Sequence, residues 1–159
     1  MSSHRLREAG ATRRKVLVGV SAAALVGSIG VGRSARAQAT ADYAAAFKKA
    51  TNGAQPQEGK VVIAAAEIAE NGATVPVTVK VDMPISAQSF VKQITLLADG
   101  NPNPEVAVFH LGPRAGRAEV STRVRLAKTE NLVAVAELSD GSLWSAHKEI
   151  KVTIGGCGG

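Results

Sequence analysis

The sequence predicts an all-β fold, an immunoglobulin-like antiparallel β-sandwich with a short N-terminal helix and a flexible C-terminal arm. Period-two alternation of apolar and polar residues dominates from Val61 to Ile154. Gly, Pro, Asn and Asp clusters punctuate that alternation at roughly the 8- to 12-residue spacing of a sandwich. The chain then ends in Gly155-Gly156-Cys157-Gly158-Gly159, which no strand pattern can absorb.

The helix is placed at Thr40 to Asn52, an alanine-rich stretch with Tyr43 and Phe47 one turn apart; Gly53 and Pro56 should end it. The first strand should run from Val61 to Glu70. Asn71-Gly72 then reads as a tight turn, and Thr74 to Asp82 follows with Val75, Val77, Val79 and Val81 on one face, the best hairpin signal in the chain. Pro76 has no N–H to donate, so its strand should lie at an edge or have a solvent-facing amide there. Further strands are expected at Phe90 to Ala98, Glu105 to Leu111, Ala118 to Lys128, Leu132 to Leu138 and Ser142 to Ile154, each with one buried and one wet face. In the fifth of these seven, Val120, Thr122, Val124 and Leu126 oppose Ser121, Arg123, Arg125 and Ala127. In the last, Trp144, Ala146, Ile150, Val152 and Ile154 share one parity.

The first 39 residues read as an export signal rather than as part of the fold. A basic segment (Arg5, Arg7, Arg13, Arg14, Lys15) precedes a glycine-diluted apolar run from Val16 to Gly32. That run is shorter than the roughly 18 to 20 apolar residues of a membrane span, so no permanent anchor is expected. Thr12-Arg13-Arg14-Lys15-Val16-Leu17-Val18 resembles the twin-arginine export pattern, and Ala35-Arg36-Ala37 and Ala37-Gln38-Ala39 offer cleavage sites. Three segments result: a cleaved signal over 1–39, a sandwich domain over 40–154 and the arm over 155–159.

Cleavage also removes the charge. The chain carries 19 basic and 13 acidic residues, a formal net charge of +6, but seven of the basic and one of the acidic lie in the signal. The remaining twelve of each balance, so nucleic-acid binding has no electrostatic support.

Cys157 is the only cysteine, which excludes an internal disulfide in an oxidising compartment. Glycine adds neither bulk nor a fixed backbone path, so three extended residues can hold Cys157 about 10 Å beyond Ile154. Such an arm suits a thiol that must enter narrow pockets. A catalytic site is not expected: His110 and His147 are isolated, with His147 on the polar parity of its strand as a surface or partner-contact residue, and no metal-ligand spacing or nucleotide fingerprint occurs. Arg114, Arg117, Arg123 and Arg125 form a local basic group best read as a solvated strand face and loop, and the Asp99 to Pro104 turn reads as structural. The chain reads as a covalent carrier, not an enzyme.

The twin-arginine segment, Ile68-Ala69-Glu70-Asn71-Gly72 leading to Val75-Pro76-Val77, Asp99-Gly100-Asn101-Pro102-Asn103-Pro104, Thr122-Arg123-Val124-Arg125-Leu126 and the terminal Gly155-Gly156-Cys157-Gly158-Gly159 together resemble the SoxY family, the sulfur-carrier subunit of the bacterial Sox thiosulfate-oxidation system. The resemblance implies a periplasmic heterodimer with SoxZ, both subunits being immunoglobulin-like sandwiches. It further implies oxidative coupling of thiosulfate to Cys157 by the haem protein SoxXA, hydrolytic release of sulfate by the manganese enzyme SoxB, and oxidation of the remaining sulfane sulfur by SoxCD where present. No bound cofactor or metal is implied for the carrier itself. Its cargo would be thiosulfate-derived sulfur held covalently on Cys157, with Gly155, Gly156, Gly158 and Gly159 as the arm. The nearest cations in sequence are Lys148 and Lys151, so activation of the thiol is expected from the partner enzymes.

Two alternatives belong to other classes. A C-terminal thiocarboxylate sulfur donor would use Gly158-Gly159, but it needs ATP-dependent activation and the chain lacks a ubiquitin-like alternation of strands with a central helix. A structural module would dimerise through a Cys157–Cys157 disulfide. Prenylation is excluded because only two residues follow the cysteine.

Overall fold

A computed structural model describes residues 35–154. One helix, α1 (Ala35–Ala50), is followed by nine strands: β1 (Gln57–Glu58), β2 (Val61–Ala65), β3 (Ile68–Asn71), β4 (Val75–Val81), β5 (Val91–Ala98), β6 (Glu105–His110), β7 (Glu119–Val124), β8 (Glu130–Leu138) and β9 (Leu143–Ile154). They form two sheets of a sandwich. One has the order β1-β9-β8-β5-β6 with β3 added alongside β9; the other is β2-β4-β7. The expected all-β sandwich with one N-terminal helix is the observed architecture.

The helix starts five residues earlier than the expected Thr40 and stops two earlier than Asn52. Its end is built by Asn52, in the left-handed region at φ 50°, followed by Gly53 at φ 76°. The Gly53 N–H donates to the Lys48 carbonyl at 2.9 Å and the Asn52 N–H to that of Lys49 at 3.3 Å, a Schellman closure with asparagine in the position usually given to glycine.

The inner faces pack as the alternation requires. Val75, Val77, Val79 and Val81 of β4 are all buried, and they meet Ile94 and Leu96 of β5, Leu132, Ala134 and Ala136 of β8, and Ile150 of β9. Full burial of each large side chain contributes about 1.5–3 kcal/mol. Pro76 also behaves as expected. In β4 the even-numbered amides face β2, as the Asp82 N–H to Lys60 carbonyl bond shows, and β2 ends with Ala65 opposite Val77. The absent Pro76 donor therefore falls just past the end of its neighbour, and no ladder bond is lost.

Three expectations are corrected. The stretch Val61 to Glu70 is two strands, not one: β2 pairs antiparallel with β4, then the chain crosses at Ala66-Glu67 so that β3 pairs in parallel with the last residues of β9. Asn71-Gly72 is consequently no hairpin turn but the return from that excursion. Second, β5 and β8 are not wet on one face. Leu97, Val133, Val135 and Leu143 point away from the sandwich core and are covered by Tyr43, Ala46, Phe47 and Ala50 of α1. Third, the described residues form nine strands instead of roughly seven, because β3 separates from β2 and two-residue β1 pairs in parallel with β9 at Trp144 and Ser145.

Candidate functional site: the root of the C-terminal arm

Cys157, its flanking Gly155, Gly156, Gly158 and Gly159, and the export residues Arg13 and Arg14 lie outside the described residues. What the structure defines is where the arm begins. Pairing of β9 with β8 ends at Ile150 opposite Glu130, and the four residues that follow run on beside β3, with Lys151 opposite Ile68, Val152 opposite Ala69 and Ile154 opposite Asn71.

Each of those four residues is tied down. The Lys151 N–H donates to the Glu67 carbonyl at 2.8 Å. The Val152 N–H donates to the Thr129 hydroxyl at 3.0 Å. The Thr153 hydroxyl donates to the Glu70 carbonyl at 2.9 Å. Finally the Ile154 carbonyl accepts from the Gly72 N–H at 2.7 Å, and the Gly72 carbonyl accepts in turn from the Leu126 N–H at 2.8 Å. Because Leu126 is fully buried, this last relay connects the start of the arm to the hydrophobic core. Ile154 itself is 68% exposed, so the chain reaches the surface at the residue where the glycines begin. The excursion of β3, which local sequence did not reveal, is what holds it there.

Beneath Thr129 lies a buried polar knot. Glu130, 4% exposed, accepts from the Gly100 N–H at 2.6 Å through one oxygen and from the Ala127 N–H at 2.9 Å through the other. Asn101, 5% exposed, donates to the Arg125 carbonyl and accepts from the Ala127 N–H, both at 2.8 Å. Asp99 accepts from the backbone and side-chain amides of Asn131 at 2.9 and 2.8 Å. Burial raises the Glu130 pKa above the usual carboxylate value, an effect that its backbone donors oppose and neighbouring Asp99 reinforces. Gly100 is required by close approach, since a Cβ there would stand 2.7 Å from Lys128 Cε and 2.8 Å from Glu130 Oε2. The Asp99 to Pro104 turn is thus structural, as expected. Sequence reading missed Glu130 and Asn101 as buried groups because nothing in their neighbourhood marks a polar side chain as core.

The remaining candidates are dispersed. His147 is exposed on the α1-covered side of β9, beside a shallow cleft lined by Tyr43, Phe47, Asp99 and Asn131. His110 ends β6 at a separate open cleft with Phe109, Leu111 and Arg114. The four arginines are all exposed, and among the described residues none has an ion pair. They do not form one group: Arg114 and Arg117 precede β7, whereas Arg123 and Arg125 lie at its far end, toward the root of the arm. Among the described residues, no three or more His, Cys, Asp or Glu side chains are placed to hold a metal, and no helix is long and apolar enough to cross a membrane.

Comparison with solved structures places this architecture beside the sulfur carrier protein SoxY from Chlorobium limicola f thiosulfatophilum, with 39% identity, a TM-score of 0.60, and coverage of 74% of this chain and 97% of that one. A superoxide reductase (neelaredoxin) from Ignicoccus hospitalis is similar at 28% identity and TM-score 0.52, over 59% of this chain and 80% of that one. A superoxide reductase from Nanoarchaeum equitans, 14% identical with a TM-score of 0.50 over 60% of this chain and all of that one, shares the fold alone. No curated protein matches. The family model of the sulfur oxidation protein SoxY matches residues 46–157, from within α1 through all nine strands to the position of the lone cysteine. On that match and the 39% identical carrier, the chain belongs to the SoxY family of sulfur oxidation proteins.

Proposed function

We infer that the chain, as a member of that family, is a sulfur carrier rather than a catalyst. We propose that it is exported to the periplasm by the twin-arginine route, pairs with SoxZ, and holds thiosulfate-derived sulfur covalently on Cys157 for presentation to SoxXA, SoxB and SoxCD. The observation that carries this reading is the anchored exit of β9. Ile154 is fixed by Gly72 at the surface, and the only thiol of the chain stands three residues further on, between two pairs of glycines.

The chemistry fits a carrier. Thiosulfate joined through its outer sulfur gives Cys157 Sγ–S–SO3⁻, an adduct that must visit several active sites without being released. A short tether on a rigid root converts each visit into a local encounter at high effective concentration once a partner has docked. A near-neutral domain with edge strands at β2, β6 and β7 suits a subunit that works in a complex.

Intact-mass analysis of the protein from its native periplasm, before and after reductant, tests the proposal. A reductant-labile sulfur adduct should map to Cys157 and be absent from Cys157→Ser. An adduct that persists in Cys157→Ser, or sulfur found in the terminal carboxylate, would refute it. Export should fail in an Arg13→Lys, Arg14→Lys variant, with unprocessed protein retained in the cytoplasm; normal periplasmic yield would remove the twin-arginine assignment.

A further inference from the structure

The sandwich is closed along one side and open along the other. On the closed side the far edge of β9 carries β1 and β3, and the Lys148 side chain of β9 donates to the Ala65 carbonyl of β2 at 2.7 Å. On the open side β6 ends the larger sheet and β7 the smaller. Between these two edges lies an open cleft of about 850 Å³, walled by Val108, Phe109 and Leu111 in and just after β6 and by Val120 of β7, with His110 and Arg114 beside them. The two edges differ in what they offer. The Leu111 N–H donates to the Lys92 carbonyl at 2.9 Å, and the register continues with His110 opposite Gln93 and Phe109 opposite Ile94. The alternation of an antiparallel ladder therefore turns the N–H and C=O of Val108 and His110 outward, away from β5. On β7 the Val81 N–H donates to the Ala118 carbonyl, so the outward amides are those of Glu119, Ser121 and Arg123. Charged side chains on an edge guard it against strand addition, and β7 has them at both ends. At the same place β6 has Val108, 38% exposed, and its bulge lies on the other side of Ala107, opposite Leu96 and Leu97.

The charge beside the β6 edge is one-sided. The loop from Leu111 to Ala118 includes Arg114 and Arg117 and no acidic residue, and the Ala115 N–H to Gly112 carbonyl bond at 3.0 Å holds it as a turn. Both guanidinium groups are exposed and, among the described residues, without an ion pair. The next acid in the chain, Glu119, stands opposite Lys80 on the outer face of the smaller sheet. Glu105, the only acid of β6, is already paired with Lys49 at 3.2 Å. A second copy of the chain would thus bring no free carboxylate to these arginines from its own β6.

We propose that the β6 edge takes a strand from the partner subunit, apolar where it crosses Val108 and Phe109 and carrying a carboxylate toward Arg114 and Arg117. This rests on the pairing with SoxZ proposed above. The outward N–H and C=O groups of Val108 and His110 supply a ladder that any extended backbone could join, whereas the apolar cleft and the basic loop select among candidates. The incoming strand would extend the larger sheet by one and cover the open side of the sandwich.

The test uses the full-length protein co-expressed with SoxZ. Amide hydrogen exchange read by NMR should slow at least about tenfold at Val108 and His110 on assembly, and hardly change at Phe109 and Leu111, whose N–H groups already face β5. Val108→Pro removes only an outward N–H, so it should melt near wild type and bind SoxZ about three- to tenfold more weakly. Arg114→Glu with Arg117→Glu leaves the edge intact and should weaken assembly about three- to tenfold at low salt, with the difference shrinking at high salt. A SoxZ complex in which Val108 and His110 exchange as in the free protein, protection that falls instead on Glu119, Ser121 and Arg123, or wild-type assembly by both variants would overturn the edge alone. Protection of Val108 and His110 that appears without SoxZ as concentration rises would assign the edge to a second copy and overturn the occupant proposed here. Absence of any complex with SoxZ would overturn the proposal together with the pairing on which it rests.

Discussion

Glu130 supports the loop that presents Thr129 to Val152 of β9, and replacing it tests whether the polar knot acts as described. In Glu130→Ala the Gly100 N–H loses its only acceptor, while the Ala127 N–H keeps Asn101. One buried amide left unpaired costs about 1–3 kcal/mol. Adding the incompletely closed space of a 4% exposed side chain brings the expected loss to about 2–4 kcal/mol. Glu130→Gln should cost about 1–3 kcal/mol, because its amide oxygen can accept from the Gly100 N–H only by turning the NH2 donor toward the Ala127 N–H. The pH dependence has a defined sign. Burial raises the folded-state pKa of Glu130, so its favourable contribution is fully present below the unfolded carboxylate pKa and falls as pH rises through the folded one. The stability of wild type relative to Glu130→Gln should therefore decline from acid toward neutral pH and then level off. Urea denaturation at a series of pH values measures both effects, with thiol labelling of Cys157 as a check that the arm stays accessible. A Glu130→Ala variant within 0.5 kcal/mol of wild type, or a relative stability that rises with pH, would refute the reasoning.

Two other perturbations address the arm and the helix. Gly156→Val with Gly158→Val adds β-branched bulk on both sides of Cys157 beyond the last anchored residue; melting and thiol labelling should stay normal while thiosulfate-dependent turnover with the partner enzymes falls at least about tenfold, or roughly 1.4 kcal/mol, and wild-type turnover would end the narrow-pocket argument. Phe47→Ala uncovers part of the Leu97, Val133, Val135 and Leu143 surface and should cost about 2 kcal/mol by thermal or chemical denaturation, less than a fully buried phenylalanine because Phe47 is only partly buried; an unchanged midpoint would show that α1 is not needed to cover that face.

Much of this protein was legible in the chain. Valines at alternate positions of β4 identify their own buried face, because side chains of a strand point to opposite sides whatever its partners are. Pro76 constrains its strand in the same local way. The lone cysteine among four glycines is equally readable, since its chemistry resides in residue type and in the absence of neighbours. Partner choice is different. Nothing in Ile68–Asn71 announces a parallel pairing with residues more than 80 positions away, and only the folded chain shows that β3 leaves β2 to hold Lys151–Ile154. Leu97 and Val133 occupy positions that alternation assigns to solvent, and they are buried because α1 supplies the missing cover. Glu130 became a core carboxylate for the same kind of reason, through amides from distant Gly100 and nearby Ala127 converging on it. The root of the arm is likewise set by distant residues, since Ile154 is held by Gly72 and Gly72 in turn by Leu126. Periodicity is a property of a single strand and is written locally, but pairing, cover and charge environment are relations between segments, and only the tertiary structure decides them.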